Sequence, residues 1–156
     1  MFENKYNQKG FTLIEILIVI GIIAILATIV IIAINPARQF AQARDAQRTS
    51  HANAILNAIG QRIADNKGVF EGAFTTGGTT YTCGPLPSLA TSIAWTMAAD
   101  ITTATGALGC LVPTYLSQGL SEPKAGSPAY TVITTLGRTT INAPGAEVTT
   151  PISTTR

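Results

Sequence analysis

The chain has 156 residues, of which 46% are hydrophobic and only 12% charged, with a net charge of +2 and two cysteines. There is room for one modest domain beside a membrane segment, and the lack of a basic block excludes a strongly electrostatic nucleic-acid groove. Arg38, Arg44, Arg48 and Arg62 supply at most a weak basic stripe, read as the solvated or inter-subunit face of a helix.

In chain order, a short stub, Met1 to Gly10, carries Glu3, Lys5 and Lys9, and an apolar run follows from Phe11 to Ile34 with Glu15 as its one charge. A helix of that length spans about 36 Å, enough to cross a hydrocarbon core of about 30 Å. A carboxylate at the centre of such a span costs about 2.5 kcal/mol or more, so Glu15 calls for a partner. Lys5 and Lys9 place the N-terminus in the cytoplasm and the remainder outside. Gly21, Ala24, Ala27 and Thr28 offer small surfaces for close helix approach.

From Ala37 to about Asn66 the chain is rich in Ala, Gln and Arg, which favour helix. Ala52, Ile55, Leu56, Ile59 and Ile63 recur at three- and four-residue steps and form one apolar stripe, with Gln61, Arg62 and Asp65 off it. Asn66-Lys67-Gly68 is the stop, with glycine in the left-handed position. Phe11 to Asn66 is therefore expected as one helix of about 84 Å, bent near Asn35-Pro36.

Beyond Gly68 the sequence turns threonine-rich and sparsely charged. Pro85 and Pro87 mark an irregular connection after Cys83, and Ser88 is expected to cap a short helix through Ala94, Trp95 and Met97. Ala129 to Thr135 alternates as a strand, Leu136-Gly137 turns, and Arg138 to Asn142 returns. Glu147 to Ile152 is read as a third strand, with Pro151 favouring an edge. Cys83 and Cys110, both past the apolar run, read as one disulfide in an exported domain, worth about 3.5 kcal/mol by loop closure. Two cysteines and the distant His51 do not make a metal set. His51 is expected on the surface and Trp95 in the core, and no catalytic constellation is visible.

Gly10-Phe11-Thr12-Leu13-Ile14-Glu15, set where a basic stub meets an apolar run, resembles the class III signal of type IV pilins and pseudopilins. The resemblance implies cleavage by a prepilin peptidase between Gly10 and Phe11, and N-methylation of Phe11. It also implies that Glu15 pairs with the new amine, its own or a neighbour's. The implied fold is α+β: a long N-terminal helix, membrane-spanning in its first half, packed on a small antiparallel sheet head. The implied parts are a leader at 1–10, a membrane and filament-core helix at 11–34, an amphipathic half at 35–67 and a β-rich head at 68–156.

The implied partners are copies of the chain itself, the prepilin peptidase and N-methyltransferase, a membrane platform protein, an assembly ATPase and membrane lipid. The expected locations are the cytoplasmic membrane before assembly and an extracellular filament after it, with no cofactor, no metal and no enzymatic activity. A secretory signal fits less well, since the core is long and Ala33-Ile34-Asn35-Pro36-Ala37 lacks an A-x-A site. A plain single-pass anchor explains the length but not Gly10, Phe11 and Glu15 together. A pseudopilin of a type II secretion system, a minor or competence pilin, and a single-copy membrane-anchored binding protein stand as alternatives to a pilus subunit. Many pilins carry a proline near the end of the membrane segment, whereas here Ile31-Ile32 stands there and Pro36 follows a turn later.

The stretch from Leu111 to Glu147, through Val112-Pro113-Thr114-Tyr115, Glu122-Pro123, Pro128-Ala129-Tyr130 and Gly145-Ala146-Glu147, is similar more weakly to heads of major pseudopilins and small Gram-positive-type pilins. Some such heads hold calcium before the sheet. Here Glu122, with Asp100 and Glu147 elsewhere, makes too thin an oxygen set for that ion.

Overall fold

Thr12 begins the first helix. Its backbone is extended (φ −81°, ψ 150°), and its hydroxyl accepts from the Glu15 N–H at 3.3 Å, so one of the orphan amides of the first turn is satisfied. This computed structural model describes residues 10–95, 108–149 and 151–156, which fall into two compact units divided between Ala37 and Arg38. Helix α1 runs from Leu13 to Ala33, is apolar on every side, and has no buried residue. Its length and mean hydropathy of 3.4 suffice to cross a membrane.

The single bent helix expected from the sequence is instead two helices. Ile34 leaves helical geometry (φ −95°, ψ 115°), and α2 starts afresh at Pro36 and ends at Asp65. A proline lacks the amide that helix continuation needs, yet suits the first helical position, and it biases the preceding residue against helix. At the far end of α2, the Gly68 N–H bonds the Ile63 carbonyl at 2.8 Å. Lys67 (φ 55°) takes the first left-handed position and Gly68 (φ 92°) the next, so the turn begins one residue earlier than the glycine alone implied.

A hairpin follows: β1 (Gly72–Thr76) pairs antiparallel with β2 (Thr79–Cys83) across Gly77 and Gly78, both at positive φ. Then come β3 (Thr91–Ser92), a 3-10 turn at Gly109–Leu111, β4 (Thr131–Thr135), β5 (Arg138–Ala143) and β6 (Ile152–Thr155). These strands form one antiparallel sheet in the order β3-β4-β5-β6. Val132 faces Ile141 across the β4–β5 ladder, and both are fully buried. With Ile93, Tyr130, Ala143 and Ile152 they form one wall of the core. Ala52, Ile55, Leu56 and Ile59 of α2 form the other, along the stripe read from the sequence. Cys83 at the end of β2 is disulfide-bonded to Cys110 in the 3-10 turn, Cα atoms 5.4 Å apart.

Three local expectations change. The segment after Ser88 forms β3 at Thr91–Ser92, and the Ile93 N–H bonds the Tyr130 carbonyl at 2.7 Å, so the chain joins the sheet there where a helix was expected. Met97 lies outside the described residues. The last strand starts at Ile152 and not at Glu147. The N–H groups of Glu147, Val148 and Thr149 all donate to the Asp45 carboxylate, at 2.7 to 3.2 Å, so they are not available to a strand ladder. The third concerns the arginines of α2: Arg48 is 0% exposed and Arg62 3%, so neither belongs to a solvated face.

Candidate processing and assembly site

At the N-terminal end, helix initiation and the residues singled out by the sequence coincide. Gly10, Phe11 and Thr12 precede the helix, and Phe11 is 80% exposed. Thr12 and Glu15 stand three apart as cap and third helical residue, the spacing of a capping box. The Glu15 N–H is also 3.2 Å from the Thr12 carbonyl, and the Ile16 N–H 3.3 Å. The peptide bond between Gly10 and Phe11 therefore lies in exposed chain just outside the helix. Among the described residues, Glu15 forms no ion pair, although it sits in the first turn of an otherwise apolar helix. Further along α1, Thr28 donates its hydroxyl to the Ala24 carbonyl at 2.9 Å.

Within the second unit, charge gathers where α2 meets the loop before β6. Arg44 forms a forked pair with Glu147, Nε to Oε1 at 2.6 Å and Nη2 to Oε2 at 2.7 Å. Arg48, wholly buried, donates to Asp45 at 2.8 Å, to Glu122 at 2.9 Å and to Glu147 at 3.3 Å. Lys124 reaches Glu147 at 3.2 Å. Burial raises the Asp45 pKa, but hydrogen bonds from Thr149, Val148, Glu147 and Arg48 outweigh it and hold the carboxyl down at about 2. The bond from Arg44, against desolvation and with help from Lys124 and Arg48, holds Glu147 at about 2 as well.

The carboxylates weighed as calcium ligands are thus engaged with cations: Glu122 bonds Arg48, and Glu147 bonds Arg44, Arg48 and Lys124. Asp100 lies outside the described residues. Sequence reasoning missed this cluster because its members are scattered, with Arg48 and Glu122 74 residues apart. An Asp and two Arg at 44, 45 and 48 on one helical face were the only hint. Arg62 is occupied too: its Nη2 donates to the Gly72 carbonyl at 3.0 Å and its guanidinium lies 4.5 Å above the Phe74 ring.

His51, expected on the surface, is half-buried, with its Nδ1 3.0 Å from the Tyr130 hydroxyl. Burial, with the Glu122 charge adding and Arg48 opposing, pushes that phenol up to about 12, so it stays protonated. Trp95 is half-buried against the core and donates Nε1–H to the Leu120 carbonyl at 2.9 Å. A Cβ on Gly119 would stand 2.6 Å from its Cγ, so the indole lies directly on backbone.

Residues 5–31 match the family model of the prokaryotic N-terminal methylation motif, the class III signal sequence of type IV pilins and pseudopilins. The match takes in part of the stub, the Gly10–Glu15 segment and most of α1, and none of the head. No curated protein and no solved structure matches the chain. The chain carries that motif, and its fold is α+β in the order of a pilin: a long apolar N-terminal helix, then a head with an antiparallel sheet.

Proposed function

We propose that this protein is the precursor of a filament subunit of the type IV pilin class. Hydrolysis between Gly10 and Phe11 adds water across one peptide bond, leaving a carboxylate on Gly10 and an α-amine on Phe11, which is then methylated. Helix α1 holds the subunit in the cytoplasmic membrane, with the stub inside and the head outside. The subunit then moves into an extracellular bundle of α1 helices. The observation that carries this reading is the coincidence of the methylation motif with a 21-residue helix that buries none of its apolar surface. Such a helix needs lipid or other helices around it, and exchanging one for the other changes hydrophobic burial little.

In this reading the chain is a peptidase substrate and a building block, without a catalytic role of its own. Its partners are the processing peptidase and methyltransferase, a membrane platform, a cytoplasmic assembly ATPase and further copies of itself. Glu15 pairs with the α-amine of Phe11, whose unperturbed pKa near 8 leaves it cationic at neutral pH. In an apolar bundle that pair fixes the axial register of an incoming subunit.

The motif belongs equally to pseudopilins, so a short secretion filament is the second reading. Electron microscopy of the cell surface, with mass spectrometry of the isolated subunit, tests both. Long fibres built of a chain that starts at an N-methylated Phe11 support the pilus subunit. The same processed chain without surface fibres supports the pseudopilin. A monomer that keeps Met1–Gly10 refutes both.

A further inference from the structure

The first turn of α1 holds a device that bears on processing. The amides at a helix start must find acceptors, and in a membrane-embedded helix water does not supply them freely. Here the Thr12 hydroxyl takes the Glu15 N–H, and the extended Thr12 backbone turns the chain out of the helix before Phe11. Without the hydroxyl, the Glu15 N–H keeps only the Thr12 carbonyl at 3.2 Å, and position 12 loses its preference for capping over joining the helix. A helix begun two or three residues earlier would bond the Ile14 N–H to the Gly10 carbonyl by the regular i to i−4 pattern. That carbonyl belongs to the bond proposed to be cut.

A peptidase acts on an accessible carbonyl in non-helical chain, so cleavage of a helical segment waits for local opening. Resting on the processing reading above, we infer that Thr12 is a positioning residue for the peptidase: its cap fixes the helix start at Leu13 and so keeps the Gly10–Phe11 bond exposed. The specificity lies in where the helix begins, in addition to which residues flank the bond. Phe11, 80% exposed beside the cap, is then presented as a side chain to be recognised.

The test uses the full-length precursor in membrane vesicles with the peptidase that processes it, following the mass of the new N-terminus over time. Thr12→Ala is expected to be cut at the same bond roughly fivefold more slowly, the population shift that loss of one cap brings. Thr12→Ser keeps the acceptor and is expected to stay close to the wild-type rate. The double variant Thr12→Ala with Leu13→Pro restores the helix start without a hydroxyl, because proline suits the first helical position and keeps its predecessor extended. It is expected to recover most of the rate, which a direct contact between the hydroxyl and the peptidase would not allow. Thr12→Ala cut as fast as wild type, or a double variant as slow as Thr12→Ala, overturns the inference. A wild-type chain left uncut, or cut elsewhere, removes the processing reading itself and the inference with it.

Discussion

Helices α1 and α2 follow one another within three residues, yet they solve opposite problems. Helix α2 carries charge into its buried face and pairs most of it within the molecule: Arg48 meets three carboxylates, and Asp45 takes three backbone amides and a guanidinium, while Arg48 Nη2, Arg62 Nε and Glu122 Oε1 find no hydrogen-bond partner among the described residues. Helix α1 is apolar throughout, buries nothing, and carries Glu15 without an ion pair among the described residues. The charges of α2 meet opposite charges within the chain, whereas Glu15 of α1 meets none among the described residues. A buried charge is tolerated only with a partner: the charges of α2 gain theirs on folding, and under the proposed function Glu15 would gain its own on assembly.

The sharpest way to break this contrast is Glu15→Ala. Cleavage is expected to proceed, while filament yield falls by an order of magnitude or more, since an amine buried without its partner is destabilised by about 3–5 kcal/mol. A normal yield of fibres would show that α1 needs no polar partner. The matching change in the head is Arg48→Met. It strands Glu122 and removes the guanidinium from Asp45, both nearly buried, and is expected to lower head stability by about 3–5 kcal/mol in urea titrations of the processed protein in detergent. Filament register should be untouched in whatever fraction folds.

Replacing both Cys83 and Cys110 by serine removes the closure of a 27-residue separation and is expected to cost about 3.5 kcal/mol in the same titration. The smallest effect is a pH limb. The Asp45 carboxyl is held at about 2 against an ordinary 3.8, so its contribution is complete above pH 4 and is lost as pH falls towards 2. That lowering corresponds to about 2 kcal/mol for this nearly buried group. Asp45→Asn should lower stability at neutral pH and flatten the limb between pH 4 and 2. An unchanged limb would mean that the loop before β6 is held by Arg44 and Glu147 without it.

Features governed by short-range patterns were legible in the sequence. The methylation motif, the apolar α1 and the stripe Ala52-Ile55-Leu56-Ile59 all follow from spacing along one segment. The β4–β5 hairpin was announced by alternation and by Leu136-Gly137, which turn at φ 52° and 76°. A Gly77-Gly78 pair flanked by threonines carried the same turn signal for β1 and β2 and was overlooked, because Thr-rich strands lack an apolar alternation. The burial of Arg48 and Arg62 was not legible at all. Charge argues for the surface unless the partners are known, and those of Arg48 include Glu122 and Glu147, 74 and 99 residues away.

By itself, then, the sequence determined the signal, the helix that follows it, a disturbance of the helix at a proline and the stripe that seats the head. Each depends on neighbours a few residues apart, where backbone sterics and periodicity decide the outcome. Only the tertiary structure decided which charges go inside and where the last strand begins. Asp45 captures the amides of Glu147, Val148 and Thr149 across about a hundred residues, and no local rule records a hydrogen bond formed over that distance.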